Sequence, residues 1–178
     1  MVWLREAGFP DYKAIAQLHA DSWKKNYRGI LSDEFLDHRV DEDRLNVWHQ
    51  RLKAPDINQH TVVAMLNNTI AGFCCAFLNE DAVYGTLIDN LHVDSTLQKS
   101  GIGRKLLADA ARWVHEKADD PKMYLWVYHS NTNARNFYER LGASLSEVVD
   151  KLNEDGSGAL SCRYTWKNSG ILFVHRNN

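Results

Sequence analysis

The segment Gln98-Lys99-Ser100-Gly101-Ile102-Gly103-Arg104 lies between an apolar stretch, Leu87 to Val93, and a run with helical spacing. Two glycines let the backbone approach a bulky anion. A helix that starts there presents unpaired N–H groups and the positive end of its dipole. Lys99, Arg104 and Lys105 add positive charge. A phosphate or pyrophosphate suits such a loop; the alternative is an ordinary strand-to-helix turn. A dinucleotide fingerprint would need a third glycine where Leu106 stands, and no Gly-Lys-Ser/Thr phosphate loop occurs. Downstream comes Asn131-Thr132-Asn133-Ala134-Arg135-Asn136-Phe137-Tyr138-Glu139-Arg140-Leu141-Gly142-Ala143. Asn131 or Asn133 can cap a helix that Gly142 ends, with Tyr138 one to two turns in and Phe137 suited to a core.

These groups need a scaffold. Val2 to Arg5 reads as a first strand, and Pro10 suits a first helical turn carrying Ile15, Leu18, His19 and Trp23. Lys24 to Gly29 breaks that pattern. Ser32-Asp33-Glu34 looks like a second helix start. Asp41 is expected to cap a third helix, with Leu45, Trp48 and Leu52 on one face and Pro55 as its stop. Thr61 to Leu66 and Ile70 to Leu78 form a hairpin about Asn67-Asn68, and Leu87 to Val93 is the next strand. Gly101 to Lys117 is helical, Met123 to Tyr128 a strand and Ala134 to Leu141 a short helix. Two last strands, Leu145 to Val149 and Leu160 to Trp166, flank a turn at Gly156-Ser157-Gly158. Helices first, then an antiparallel meander, then β-α-β-α-β argue a mixed α/β sheet with helices packed on it.

The 178 residues suit one domain, 1–178. Hydrophobic residues make up 44% and charged residues 25%, an ordinary globular balance that argues against disorder. A net charge of −2 argues against a nucleic-acid binder. Three cysteines, no basic-then-apolar leader and no apolar run near the ~20 residues that span a bilayer point to a cytoplasmic protein without membrane contact. Cys74 and Cys75, adjacent in an apolar strand, read as core rather than as a disulfide or nucleophile. No metal-ligand spacing occurs, so no metal is expected.

Together, Gln98-x-x-Gly101-x-Gly103 after a strand and Asn131-x-x-Ala134-x-x-x-Tyr138-Glu139-x-x-Gly142 resemble the paired cofactor motifs of the GNAT superfamily of acyl-CoA-dependent N-acyltransferases. The motifs cover roughly 87 to 143, and the element order extends the resemblance over the chain. It implies a single-domain, mixed but mostly antiparallel central sheet flanked by about four helices. It also implies an enzyme that moves an acetyl group from acetyl-CoA to a primary amine of a small molecule or peptide. By position, the backbone of Leu91, His92 and Val93 would pair with the pantetheine arm. Gln98, Lys99, Ser100, Gly101, Ile102, Gly103 and Arg104 would wrap the pyrophosphate. Asn131 would bond the arm, and Tyr138 would point its hydroxyl at the thioester sulfur. Three positions depart from the pattern: Ser95 replaces a common proline, Ala143 a common phenylalanine, and Asp89 a common glutamate.

Direct attack in a ternary complex needs a free amine, a polarised carbonyl and a protonated leaving thiolate. Tyr138, with an ordinary pKa of about 10, is the expected acid. Asp89 is the first candidate base and His92, ordinarily about 6.5, the second. Strand alternation places Asp89, Leu91 and Val93 on one face and His92 on the other, unless a bulge resets it. The first helices would wall the acceptor pocket, with Tyr27 and Glu34 as its candidates among Trp23, Arg28, Phe35 and Trp48. A non-catalytic acyl-CoA sensor and a protein or peptide acetyltransferase are the rival readings. The tail Ile171 to Val174 reads as an edge strand or a homodimer contact.

Overall fold

A computed structural model describes residues 1–153 and 155–173. Strand β1 (Trp3–Glu6) leads through a 3-10 turn (Phe9–Asp11) into α1 (Tyr12–Asn26), then α2 (Asp33–His38) and α3 (Val40–Lys53). Strands β2 (Gln59–Leu66), β3 (Thr69–Asp81) and β4 (Gly85–Val93) form the meander. A 3-10 turn (Ser95–Leu97) precedes α4 (Ile102–Lys117), followed by β5 (Met123–Tyr128), α5 (Thr132–Arg140), β6 (Ser144–Leu152) and β7 (Gly158–Trp166). All seven strands join one sheet in the order β1-β2-β3-β4-β5-β7-β6, antiparallel except where β4 meets β5. Five α-helices flank it, the five read from the sequence pattern, where the family resemblance implied about four.

Local chemistry accounts for most boundaries. Asn67 and Asn68 both take positive φ, the primed turn that matches strand twist. Ser32 Oγ accepts from Phe35 N and caps α2. Asp41, expected as a cap, lies inside the first turn of α3, where it pairs with Lys24 at 2.5 Å. Leu45 is also displaced from the expected face: α3 buries Val40, Arg44, Trp48 and Leu52, four residues apart, and leaves Leu45 exposed. At the far end of α5, Ala143 N bonds Tyr138 O and Gly142 N bonds Glu139 O, with Gly142 left-handed.

Strand alternation divides the core. Val62, Ala64, Cys74 and Ala76 face α4 and its Ile102, Leu106, Leu107, Ala110 and Val114. Val63, Met65, Phe73 and Cys75 face Ile15 and Ala16 of α1 and Trp48 and Leu52 of α3. Cys74 and Cys75 are thus buried on opposite sides. The tail is not a strand in its described part: Ser169–Leu172 is a 3-10 turn packed on α4, and Val174 lies outside the described residues. No helix among the described residues is long and apolar enough to cross a membrane.

Candidate active site

The site begins where the sheet opens. Strand β4 pairs with β5 only at Thr86↔Met123 and Leu87↔Tyr124. Beyond that point the strands diverge, and the β4 backbone from Asp89 to Val93 has no β5 partner. On its other side, β4 keeps its register with β3 from Gly72↔Val93 to Cys75↔Asn90, then slips so that Ala76 faces Ile88. The slip is a β-bulge at Asp89, and it resets the alternation. Asp89 therefore shares a face with Asn90 and His92, contrary to simple alternation: Arg51 Nη1 donates to Asp89 Oδ2 at 2.7 Å and to Asn90 Oδ1 at 2.8 Å, while His92 sits opposite Phe73 on the same side.

A cleft of about 320 Å³ opens at this divergence. Asp89, Asn90 and His92 of β4 line one wall, Trp126, Val127 and Tyr128 of β5 another, and Trp23, Tyr27 and Leu31 a third. Arg44 and Arg51 of α3 and Lys151 of β6 add three cations. The far end is closed by hydrogen bonds between the α1–α2 link and the β6–β7 turn. Ser32 N donates to Asp155 Oδ2 at 2.6 Å, and Ser157 Oγ and Asn153 Nδ2 donate to Ile30 O at 3.2 and 3.4 Å. Tyr128 Oη donates to Asn153 Oδ1 at 2.9 Å, and the Tyr27 and Tyr128 rings meet edge to face at 4.8 Å.

Two histidines, His19 and His92, meet beside this cleft with ring centroids 4.4 Å apart and planes tilted by 38°. Trp48 Nε1 donates to His19 Nδ1 at 3.0 Å, so the His19 proton is on Nε2, which has no partner among the described residues. His92 Nδ1 and Ser22 Oγ share a hydrogen bond at 2.8 Å. Burial, then the Arg44 charge, pulls the His92 pKa down to about 4. Burial, then the His92 and Arg44 charges, drives His19 well below its ordinary value. Both rings are neutral at pH 7.

Tyr138 is buried on α5, its ring edge-on to Phe137 and Trp166. Its hydroxyl makes no hydrogen bond among the described residues. Burial raises its pKa, with Tyr27 and Cys74 adding to the effect, so the phenol keeps its proton. Tyr27 is raised for the same first reason.

The Gln98–Arg104 segment enters α4 through two left-handed residues, Lys99 (φ 63°) and Gly101 (φ 86°). Asp94 Oδ1 accepts from Thr96 N and holds the preceding turn at Ser95, where proline is absent. Lys105 N donates to Gly101 O, so the N–H groups of Ile102, Gly103 and Arg104 have no acceptor one turn back. A Cβ on Gly101 would meet nothing within 4 Å, whereas one on Gly103 would touch Phe137 and Val93. Gln98, Lys99, Ser100 and Arg104 are exposed, while Ile102 turns into the core. Asn131 caps α5, its Oδ1 accepting from Ala134 N at 3.2 Å, and lines a second cleft with Asn26, Gly29 and Ser130.

Tyr27, Asp89 and His92 thus share one cleft. Glu34 does not reach it. Helix α2 buries Phe35 and Leu36, which turns Glu34 to solvent, where it stands 3.8 Å from Arg39. Arg51, Trp126 and Lys151 are cleft residues the sequence reading did not single out. Alternation within β5 carried a signal for Trp126: Met123, Leu125 and Val127 supply the aliphatic face, and Tyr124, Trp126 and Tyr128 the other. Nothing local marked Lys151.

Comparison with known proteins gives the same fold and a family. The model of the acetyltransferase (GNAT) family matches residues 13–143. The uncharacterized N-acetyltransferase YuaI of Bacillus subtilis is 26% identical over 163 residues, covering 83% of this chain and 91% of that protein. A probable N-acetyltransferase of Mycobacterium tuberculosis is 30% identical over 148 residues, covering 77% of this chain and 76% of its own. The crystal structure of PaiA N-acetyltransferase from Thermoplasma acidophilum, in complex with coenzyme A, superposes with a TM-score of 0.68 at 19% identity, over 90% of this chain and 98% of that one. The chain belongs to the GNAT family of acetyltransferases.

Proposed function

We propose that this chain transfers an acetyl group from acetyl-CoA to the primary amine of a small molecule, by direct attack in a ternary complex. The observation that carries this reading is the divergence of β4 from β5, which leaves an unpaired strand edge beside a cleft lined by Asp89, His92 and Tyr27. The free backbone of Leu91, His92 and Val93 suits the amides of a pantetheine arm, which Asn131 would also bond. The segment Gln98–Arg104, with its unpaired N–H groups and open space at Gly101, suits the pyrophosphate. The coenzyme A in the Thermoplasma structure supports the same donor.

The amine nitrogen attacks the thioester carbonyl carbon, the C–S bond breaks, and the departing thiolate takes the Tyr138 proton. The nitrogen's surplus proton goes to a neighbouring base. Arg51 engages the carboxylate of Asp89, so we assign this step to His92, which is neutral at pH 7. In the tautomer whose Nδ1–H donates to Ser22, His92 Nε2 is the accepting nitrogen. A weak base suffices, because the nitrogen of a tetrahedral adduct is far more acidic than a free ammonium. Arg44, Arg51 and Lys151 also disfavour a bound ammonium relative to the free amine.

The closed end of the cleft favours a small amine over a lysine of a folded protein. The test is thiol release from acetyl-CoA across amino acids, polyamines, aminoglycosides and peptides, with both substrates varied. Amine-dependent release with intersecting double-reciprocal lines is expected. Parallel lines would refute direct attack. Coenzyme A binding without release on any amine would mark a sensor instead.

A further inference from the structure

We infer that the acceptor amine carries an oxyanion, a carboxylate or a phosphate, and that Lys151 binds it. This deepens the acetyltransferase reading above and rests on it. Lys151 Nζ lies 3.2 Å from the centroid of the Trp126 ring, and both residues line the cleft. The ring holds the ammonium by its quadrupole but leaves N–H donors unused. The carboxylate that acts on Lys151, Glu147, is already ion-paired with Arg163 Nη2 at 2.9 Å. Arg163 itself lies over Trp126 at 4.5 Å and over Tyr84 at 3.8 Å. One indole therefore carries two cations, with no carboxylate left over for Lys151 among the described residues. Burial first, then the Arg163 charge, lowers the Lys151 pKa, a penalty that a bound anion would relieve.

The rest of the cleft agrees in sign. Its one carboxylate among the described lining residues is Asp89, which Arg51 holds. A second ammonium, as on a polyamine, would find no acid there, whereas an oxyanion meets Lys151 with the Ser161 hydroxyl on the same wall. The cleft thus has an anion-seeking end at β6 and a proton-accepting end at His92, and an acceptor with both an oxyanion and an amine spans them.

The experiment compares matched acceptors that differ only in the anionic group: amino acids against their amides, and aminoalkylphosphonates against amino alcohols, with diamines as a third arm. Wild type, Lys151→Met and Lys151→Arg are measured by thiol release. The anionic members are expected to win, and the carboxylate and phosphonate arms tell the two sources apart. Lys151→Met should raise acceptor KM about tenfold to a hundredfold, the worth of one charge-assisted hydrogen bond. Its KM for acetyl-CoA should stay unchanged, and Lys151→Arg should restore most of the acceptor loss. Preference for amides, alcohols or diamines, with thiol release intact, would overturn the inference and leave the acetyltransferase reading standing. Thiol release on no amine would overturn that reading instead. A thermal-shift titration with inorganic phosphate and with a simple carboxylate decides the anion site without turnover: stabilisation in wild type that Lys151→Met abolishes supports it, and no stabilisation sinks it.

Discussion

Gly101→Val separates a ligand-binding glycine from a merely permissive one. Gly101 has φ 86°, so a β-branched residue there is strained by at least about 1–2 kcal/mol. No atom lies within 4 Å of the added Cβ, so the apo protein loses little beyond that backbone cost. The same holds at Gly156, where φ is 81° and the surrounding space is equally open. Gly156→Val is thus a control matched in strain, placed in the β6–β7 turn away from α4. Coenzyme A at a hundred times its Kd should stabilise the wild type by about 2.7 kcal/mol. For a chain of this size that is a rise of roughly 5–10 °C in Tm. Both variants should melt a few degrees below wild type without ligand. Gly156→Val should keep the full coenzyme A shift, while Gly101→Val should lose most of it, because the proposed pyrophosphate site uses the open space beside Gly101. A full shift in Gly101→Val would show that the pyrophosphate binds elsewhere and would undo the loop assignment.

Tyr138→Phe removes a buried hydroxyl that has no hydrogen bond among the described residues, so Tm should move by no more than a degree or two, while kcat falls about a hundredfold as general-acid help is lost; a kcat within threefold of wild type would exclude Tyr138 as the acid. Acid stability carries the His92 signature. Its pKa falls from 6.5 in the unfolded chain to about 4 in the fold, so the unfolded state binds more protons between those values. Stability is then complete above about pH 6.5 and is lost as the pH falls toward 4, by roughly 3 kcal/mol for this ring. Chemical denaturation of wild type and His92→Gln across that range should show a shallower loss in the variant, and identical slopes would contradict the neutral, buried imidazole.

Some of this molecule is legible one residue at a time. Asn67-Asn68 specifies its turn because asparagine tolerates positive φ, and Ser32 announces α2 because its hydroxyl satisfies a helix-end N–H. The motif from Asn131 to Gly142 delivers both a cap and a stop where they were read. The expectations that failed concern which way a side chain faces. Capping preference points to Asp41 and periodicity to Leu45, but the start of α3 at Val40 rotates the buried stripe onto Arg44, whose guanidinium lies 4.2 Å from the Trp23 ring centroid. Glu34 fell to solvent because Phe35 and Leu36 take the inward side of a short helix.

The sequence by itself determined the family, the element order and the glycine-bearing turn into α4, because those are written in contiguous residues with fixed local geometry. The tertiary structure alone decided the composition of the cleft. A one-residue slip between β3 and β4 brings Asp89 beside His92, α3 carries Arg51 to that carboxylate, and β6 brings Lys151 onto Trp126 of β5. Each of those meetings joins residues far apart in the chain, and each depends on a register or a crossing that is settled only when the whole sheet closes.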